Sequence, residues 1–130
     1  MATTLDEYQI ATRETAIYPS IDGKSYMYPF LGLSGEAGEV LNVAKKIFRD
    51  DQGVLTAERR EVLKSELGDV LWYLARSADE LGFTLSDIGD SNLAHLQARK
   101  QRNALHGSGD IGNNQEALRN VQPETVTVSE

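Results

Sequence analysis

Apolar residues recur along this chain at helical spacing, in segments separated by turn-forming residues. The first segment, Leu5 to Ile17, carries a modest stripe of Leu5, Tyr8 and Ala11 or Thr12, and Thr4 and Glu7 have the spacing of a capping box. Pro19 ends it, and Ser20 to Lys24, with Asp22-Gly23, reads as a turn. The second helix is expected from Pro29 to about Arg49. Its stripe is Phe30, Leu33, Ala37, Val40, Ala44 and Ile47, widened by Leu41 and Phe48. Asp50-Asp51-Gln52-Gly53 breaks it. A third helix, Ala57 to Glu80, takes Thr56 as its N-cap, carries Leu63, Leu67, Val70, Leu71, Leu74 and Ala78, and stops at Gly82. A fourth is expected from an N-cap at Ser86 through Asp87 to about Asn103, with core contacts from Leu93 and Leu96 and Ile88 at the stripe's edge.

Beyond Leu105 the pattern dissolves into a loop rich in Gly and Asn, a weak helix around Gln115 to Arg119, and a polar tail from Pro123. No pair of strands is evident. The expected fold class is all-α, a four-helix bundle, with one helical domain over 1–106 and a glycine-rich loop and tail over 107–130.

At 130 residues the chain has the length of one domain and can bury a core, though an oligomer interface would help it. There is no cysteine, hence no disulfide framework or thiolate chemistry. With no leader pattern at the N-terminus and no apolar run of membrane-spanning length, the expected compartment is the cytoplasm, away from membranes. A formal net charge of −7 argues against a nucleic-acid polymer as partner. It leaves room for a small anion that arrives with its own cations.

The pattern contains one phrase twice. Glu36-Ala37-Gly38-Glu39-Val40-Leu41 is followed thirty residues later by Glu66-Leu67-Gly68-Asp69-Val70-Leu71. Carboxylates three apart share a helix face, so facing helices would bring four acids together. Such a cluster is unfavourable without a cation among its members. Glu-x-x-Glu pairs usually face solvent, but two matched pairs, each holding a glycine and abutting Val-Leu, favour a metal. Carboxylates without histidine or thiol ligands point to Mg²⁺ or Mn²⁺. No Glu-x-x-His motif supports a di-iron site, and no Walker-type loop is present.

At about 100° per residue, three polar edges adjoin the stripes: Glu36, Glu39, Val43 and Lys46; Glu66, Asp69, Tyr73 and Arg76; Ile88, Asn92, His95 and Arg99. Lys45, Lys46 and Arg49 form either a solvated helix end or a phosphate-holding surface. Gly32, Gly35 and Gly38 allow either close helix packing or room for metal and ligand. The reaction class that fits is hydrolysis of a phosphoanhydride, with a free carboxylate as general base.

The stretches Leu31 to Val40, Lys45-Lys46 and Glu66 to Ala75 resemble the MazG-like all-α nucleoside triphosphate pyrophosphohydrolases in their short, single-domain form. Asn92 to Arg99 resembles that family's Asn-x-x-Lys-Leu-x-x-Arg segment, with His95 where the family usually has lysine, and Gly107 to Asp110 resembles the glycine-rich stretch that follows. The resemblance implies cleavage of the α–β bond of (d)NTPs to (d)NMP and pyrophosphate with Mg²⁺. It implies metal and catalytic roles for Glu36, Glu39, Glu66 and Asp69, and phosphate contacts from Lys45, Lys46, Asn92 and Arg99; at His95 either a charge near the phosphates is missing or the histidine serves another substrate contact. Trp72 is a candidate base contact. Family members form dimers or dimers of dimers, and some standalone members favour guanine nucleotides. Other expectations from the sequence are a dUTP, dCTP or other nucleotide substrate, or a non-enzymatic helical interaction protein.

Overall fold

The computed structural model describes residues 3–102. The four expected helices are present: α1 Leu5–Ala11, α2 Met27–Asp50, α3 Ala57–Glu80 and α4 Leu85–Gln101. Among the described residues there is no strand, only an isolated bridge between Ile21 and Lys24. The fold is all-α. The expectations for the loop and tail from Leu105 onward lie outside the described residues.

Thr4 and Glu7 form the expected capping box: the Thr4 hydroxyl accepts the Glu7 N–H, and the Glu7 carboxylate accepts the Thr4 N–H at 2.8 Å. The helix stops at Ala11, short of the expected Ile17, and a 3-10 turn covers Thr12–Thr15. Threonine hydroxyls explain the change. Thr12 Oγ1 donates to the Gln9 carbonyl at 2.7 Å and Thr15 Oγ1 to the Thr12 carbonyl at 3.0 Å. Such local side-chain bonds compete with the α-helical ladder.

α2 begins two residues before the expected Pro29. The proline ring is buried in the first turn, where a missing N–H costs no helical bond. Thr56 caps α3 as expected, its hydroxyl accepting the Arg59 N–H. After Leu81, Gly82 adopts φ +76°, the left-handed conformation that ends a helix most cheaply at glycine. The start of α4 differs from expectation. Thr84, not Ser86, caps it: its hydroxyl accepts from Asp87 N–H while Asp87 Oδ2 accepts from Thr84 N–H, both at 3.0 Å. Starting there places Leu85 inside the helix and in the core, and the Ser86 N–H instead meets the Asp6 carboxylate of α1.

The chain divides into two units, Met1–Asn92 and Leu93–Glu130, with the boundary inside α4. In the first unit α2 and α3 form a long antiparallel hairpin, the most extensive packing between elements. Val43 and Ile47 of α2 are buried, with Leu33, Val40 and Ala44 half-buried beside them. Val43 was expected on the polar edge and is instead central, whereas Phe30, Ala37, Leu41 and Phe48 of the expected stripe are exposed. The buried stripe of α2 is therefore narrower than the apolar pattern and turned toward Val43, because a single facing helix can cover only one strip of a helical cylinder.

A second cluster of Ala75, Ala78 and Leu85, flanked by Tyr8 and Leu71, joins α1, α3 and the start of α4. Gln9 locks this corner. Its buried side-chain amide donates to the Phe83 carbonyl and accepts from the Leu85 N–H, both at 2.8 Å. In the second unit, Leu93 and Leu96, expected as core contacts, are exposed.

Candidate functional site

The two copies of the acidic phrase lie on the facing helices of the hairpin. Carboxylate oxygens of Glu36 on α2 and of Glu66 and Asp69 on α3 all approach within 4.8 Å of one another. The hairpin produces this meeting: each phrase sits mid-helix, and the packing of α2 against α3 sets them side by side. Glu36 and Glu66 are half-buried and Asp69 is exposed.

The Glu36 carboxyl is held above the ordinary carboxylate range, first by burial and then by the negative charges of Asp69, Glu66 and Glu39. Burial and like charges both disfavour the ionised form. The Tyr8 phenol is raised by burial and then by the charge of Asp69, and the Tyr73 phenol by burial, then by Tyr28 and Glu36, with Asp69 last. No cation of the chain forms a salt bridge with Glu36, Glu66 or Asp69 among the described residues. An all-oxygen donor set of converging, mutually repelling carboxylates suits a hard divalent cation such as Mg²⁺ or Mn²⁺.

Glu39 is not in the converging group. It lies one turn along α2 from Glu36, is exposed, and accepts from the Asn42 side-chain amide at 3.4 Å. Lys45 donates to the other end of that amide at 3.1 Å, which forms a short chain Lys45–Asn42–Glu39. Lys46 is exposed further along, where its charge helps to lower the Asp50 carboxyl after the larger effect of Arg49. Arg76, expected on the same polar edge as Glu66 and Asp69, is buried elsewhere. Its guanidinium donates to Asp79 at 2.8 Å and to the Tyr18 and Thr12 hydroxyls. Asn92 is exposed on α4. In the second unit His95 is exposed and Arg99 half-buried.

Of the three glycines on α2, only Gly32 is needed for close packing: a Cβ there would overlap the Tyr73 ring. A Cβ at Gly35, Gly38 or Gly68 would meet open space. Close helix packing thus explains the first glycine of the series and not the others.

Beside the carboxylates opens a cavity of about 480 Å³ lined by Thr15, Glu36, Asp69, Trp72 and Tyr73. It shares Thr15, Trp72 and Tyr73 with a recess of about 250 Å³ that adds Tyr18 and Tyr28. The Tyr18 and Tyr28 rings stack with centroids 5.4 Å apart, and Trp72 stands edge-on to Tyr18. Trp72 was expected as a base contact and does border the acidic cavity. Thr15, Tyr18 and Tyr28 were not foreseen. The available signal was the crowding of Tyr18, Tyr26 and Tyr28 into a short inter-helix segment.

Residues 27–103 match a family profile described as "MazG nucleotide pyrophosphohydrolase domain". The chain is 51% identical over 112 residues to "Gene 37 protein" of Mycobacterium phage L5, covering 82% of this chain and 96% of that one. No solved structure matches.

Proposed function

The chain belongs to the MazG nucleotide pyrophosphohydrolase domain family, and on that footing we propose that it hydrolyses the α–β phosphoanhydride of (d)NTPs, releasing (d)NMP and pyrophosphate. The single observation that carries the reading is the convergence of Glu36, Glu66 and Asp69 oxygens at one point of the hairpin.

In this reading those three side chains hold a divalent cation, Mg²⁺ with Mn²⁺ as substitute. Such an ion, when bound, offsets the charge of the phosphate chain and polarises a phosphoryl oxygen. Glu39, one turn away and exposed, accepts the proton of the attacking water. The water oxygen bonds to phosphorus as the bridging P–O bond breaks, and the bridging oxygen leaves with the other phosphate fragment. Lys45 and Lys46 on α2 balance the negative charge of the substrate. Phosphate contacts by Asn92 and Arg99 belong to the same reading and rest on the family resemblance, with His95 as a further substrate contact.

A second copy of the chain is also part of it. Leu41 and Phe48 on α2, and Leu67 and Leu74 on α3 with Leu81 at its C-cap, form exposed rows at a spacing of seven, which a homo-oligomer would cover. No described helix is long and apolar enough to cross a membrane. A cytoplasmic location fits nucleotide substrates.

Incubation with each canonical (d)NTP and Mg²⁺, followed by separation of products, tests the activity. Nucleoside monophosphate and pyrophosphate are expected. Nucleoside diphosphate and inorganic phosphate, or no turnover of any nucleotide, would refute it. The same panel tests the guanine preference implied by resemblance against dUTP or dCTP as substrate.

A further inference from the structure

A nucleotide carries a flat aromatic base one sugar away from its phosphates. The acidic cavity has a neighbour of matching character. The recess of about 250 Å³ adjoining it is walled by Tyr18, Tyr28, Trp72 and Tyr73, with no charged residue among those that line it. Thr15, Trp72 and Tyr73 belong to both spaces, so one ligand can reach from the carboxylates into the aromatic recess.

The polar tips of these side chains are already engaged. Trp72 Nε1 donates to Thr15 Oγ1 at 2.8 Å, and Thr15 Oγ1 in turn donates to the Thr12 carbonyl. Tyr18 donates its hydroxyl to Glu80 at 2.6 Å and accepts from Arg76. The Tyr73 phenol is raised first by burial and next by the neighbouring Tyr28 phenol. What these side chains offer a ligand is ring surface, and breaking their internal bonds to read a base edge would leave part-buried polar groups unpaired. Stacking accepts every base but grows with the area of the ring system.

We infer that the recess framed by Tyr18, Tyr28 and Trp72 receives the nucleobase by stacking, and that it selects purines over pyrimidines by ring size, with little discrimination between guanine and adenine. This rests on the nucleotide reading above. Tyr18, from the segment between α1 and α2, and Tyr28, from the first turn of α2, thereby become specificity-determining residues. The bonds from Glu80 and Thr15 position that segment against α3.

Trp72 is the sole tryptophan of the chain and lines both this recess and the acidic cavity, so its emission reports on the two together and the base-free probe separates them. With Mg²⁺ held constant, GMP, AMP, CMP and UMP are titrated into the full chain, with ribose 5-phosphate as the base-free probe. GMP and AMP should change the emission with half-saturation within about threefold of each other and several-fold below that of CMP and UMP, and ribose 5-phosphate should change nothing. The ring contribution is tested with Tyr28→Leu, which should raise KM for GTP and ATP about tenfold with kcat within about twofold. Tyr28→Phe, which keeps the ring and loses the hydroxyl, should stay near the parent.

Equal affinity for all four monophosphates, a response to ribose 5-phosphate equal to theirs, or GMP favoured more than tenfold over AMP would overturn the inference. So would an unchanged KM in a folded Tyr28→Leu; if that variant does not fold, the titration of the unaltered chain decides. A chain that turns over (d)NTPs while Trp72 stays silent refutes the recess and leaves the hydrolase standing. A chain in which Trp72 responds as expected without any turnover upholds the recess and refutes the hydrolase.

Discussion

Asp69 and Asp79 are carboxylates on the same helix with opposite surroundings, and they predict opposite responses. Asp69 meets Glu36 and Glu66. Replacing it by Asn removes repulsion and a cation ligand together. Asp69→Asn should therefore melt no lower than the parent without divalent ions, and should lose both turnover and the rise in Tm that Mg²⁺ gives the parent. That rise corresponds to about 2.7 kcal/mol at a hundredfold excess over Kd; thermal melts with and without Mg²⁺ measure it. Asp79 accepts from Arg13 and Arg76, and its carboxyl lies below the ordinary range, chiefly through the Arg13 hydrogen bonds, against the opposing effect of burial and with further help from Arg76. A lowered carboxyl stabilises the fold fully above its unfolded value of about 3.9. That contribution is lost as pH falls below this value toward the folded one. Asp79→Ala strands the buried Arg76 and should cost about 3 kcal/mol at neutral pH by urea titration. The difference from the parent should shrink in acid below pH about 3.9.

Among the elements, the α2/α3 hairpin makes distinct demands on glycines that look alike in sequence. Gly32 faces the Tyr73 ring, so Gly32→Ala should destabilise by about 1–3 kcal/mol through overpacking. Gly38 faces open space, and in the isolated chain Gly38→Ala should stabilise by up to about 1 kcal/mol through helix propensity. Denaturant unfolding of the two variants checks the contrast; a loss of stability at Gly38 would mean that another surface packs there. At the ends of the helices, Thr84→Ala removes a reciprocal cap from α4 and should cost about 1 kcal/mol, whereas Ser86→Ala should cost little.

At the scale of the whole molecule, the described residues carry many large exposed apolar side chains. Among the described residues the buried hydrophobic side chains are few, Val43, Ile47, Ala75, Ala78 and Leu85, while Leu41 and Phe48 are 70% and 76% exposed. Surface of that kind on a long hairpin favours association. Sedimentation at micromolar concentration should give a mass at least twice the 14.3 kDa of the chain. Leu41→Glu combined with Phe48→Glu should shift it toward the single chain, and a monomeric parent would contradict the proposed oligomer. The amphipathic pattern made the helices legible but not this division of the stripe, because periodicity marks an apolar face without saying which strip of it an internal neighbour covers.

Much of the chain's design was settled by local chemistry. Helical periodicity, the Thr4 and Thr56 caps and Gly82 set the elements, since each acts within a turn or two of its own residue. The repeated acidic phrase likewise disclosed the candidate site, because spacing on a helix is a local property. Tertiary structure alone decided which polar residues meet: Glu36 with Glu66 and Asp69, Arg76 with Tyr18 and Thr12 in place of the acidic edge, and Tyr18 and Tyr28 with Trp72. These pairings join residues far apart in sequence, and they depend on the angle and register at which helices pack, which no local pattern encodes.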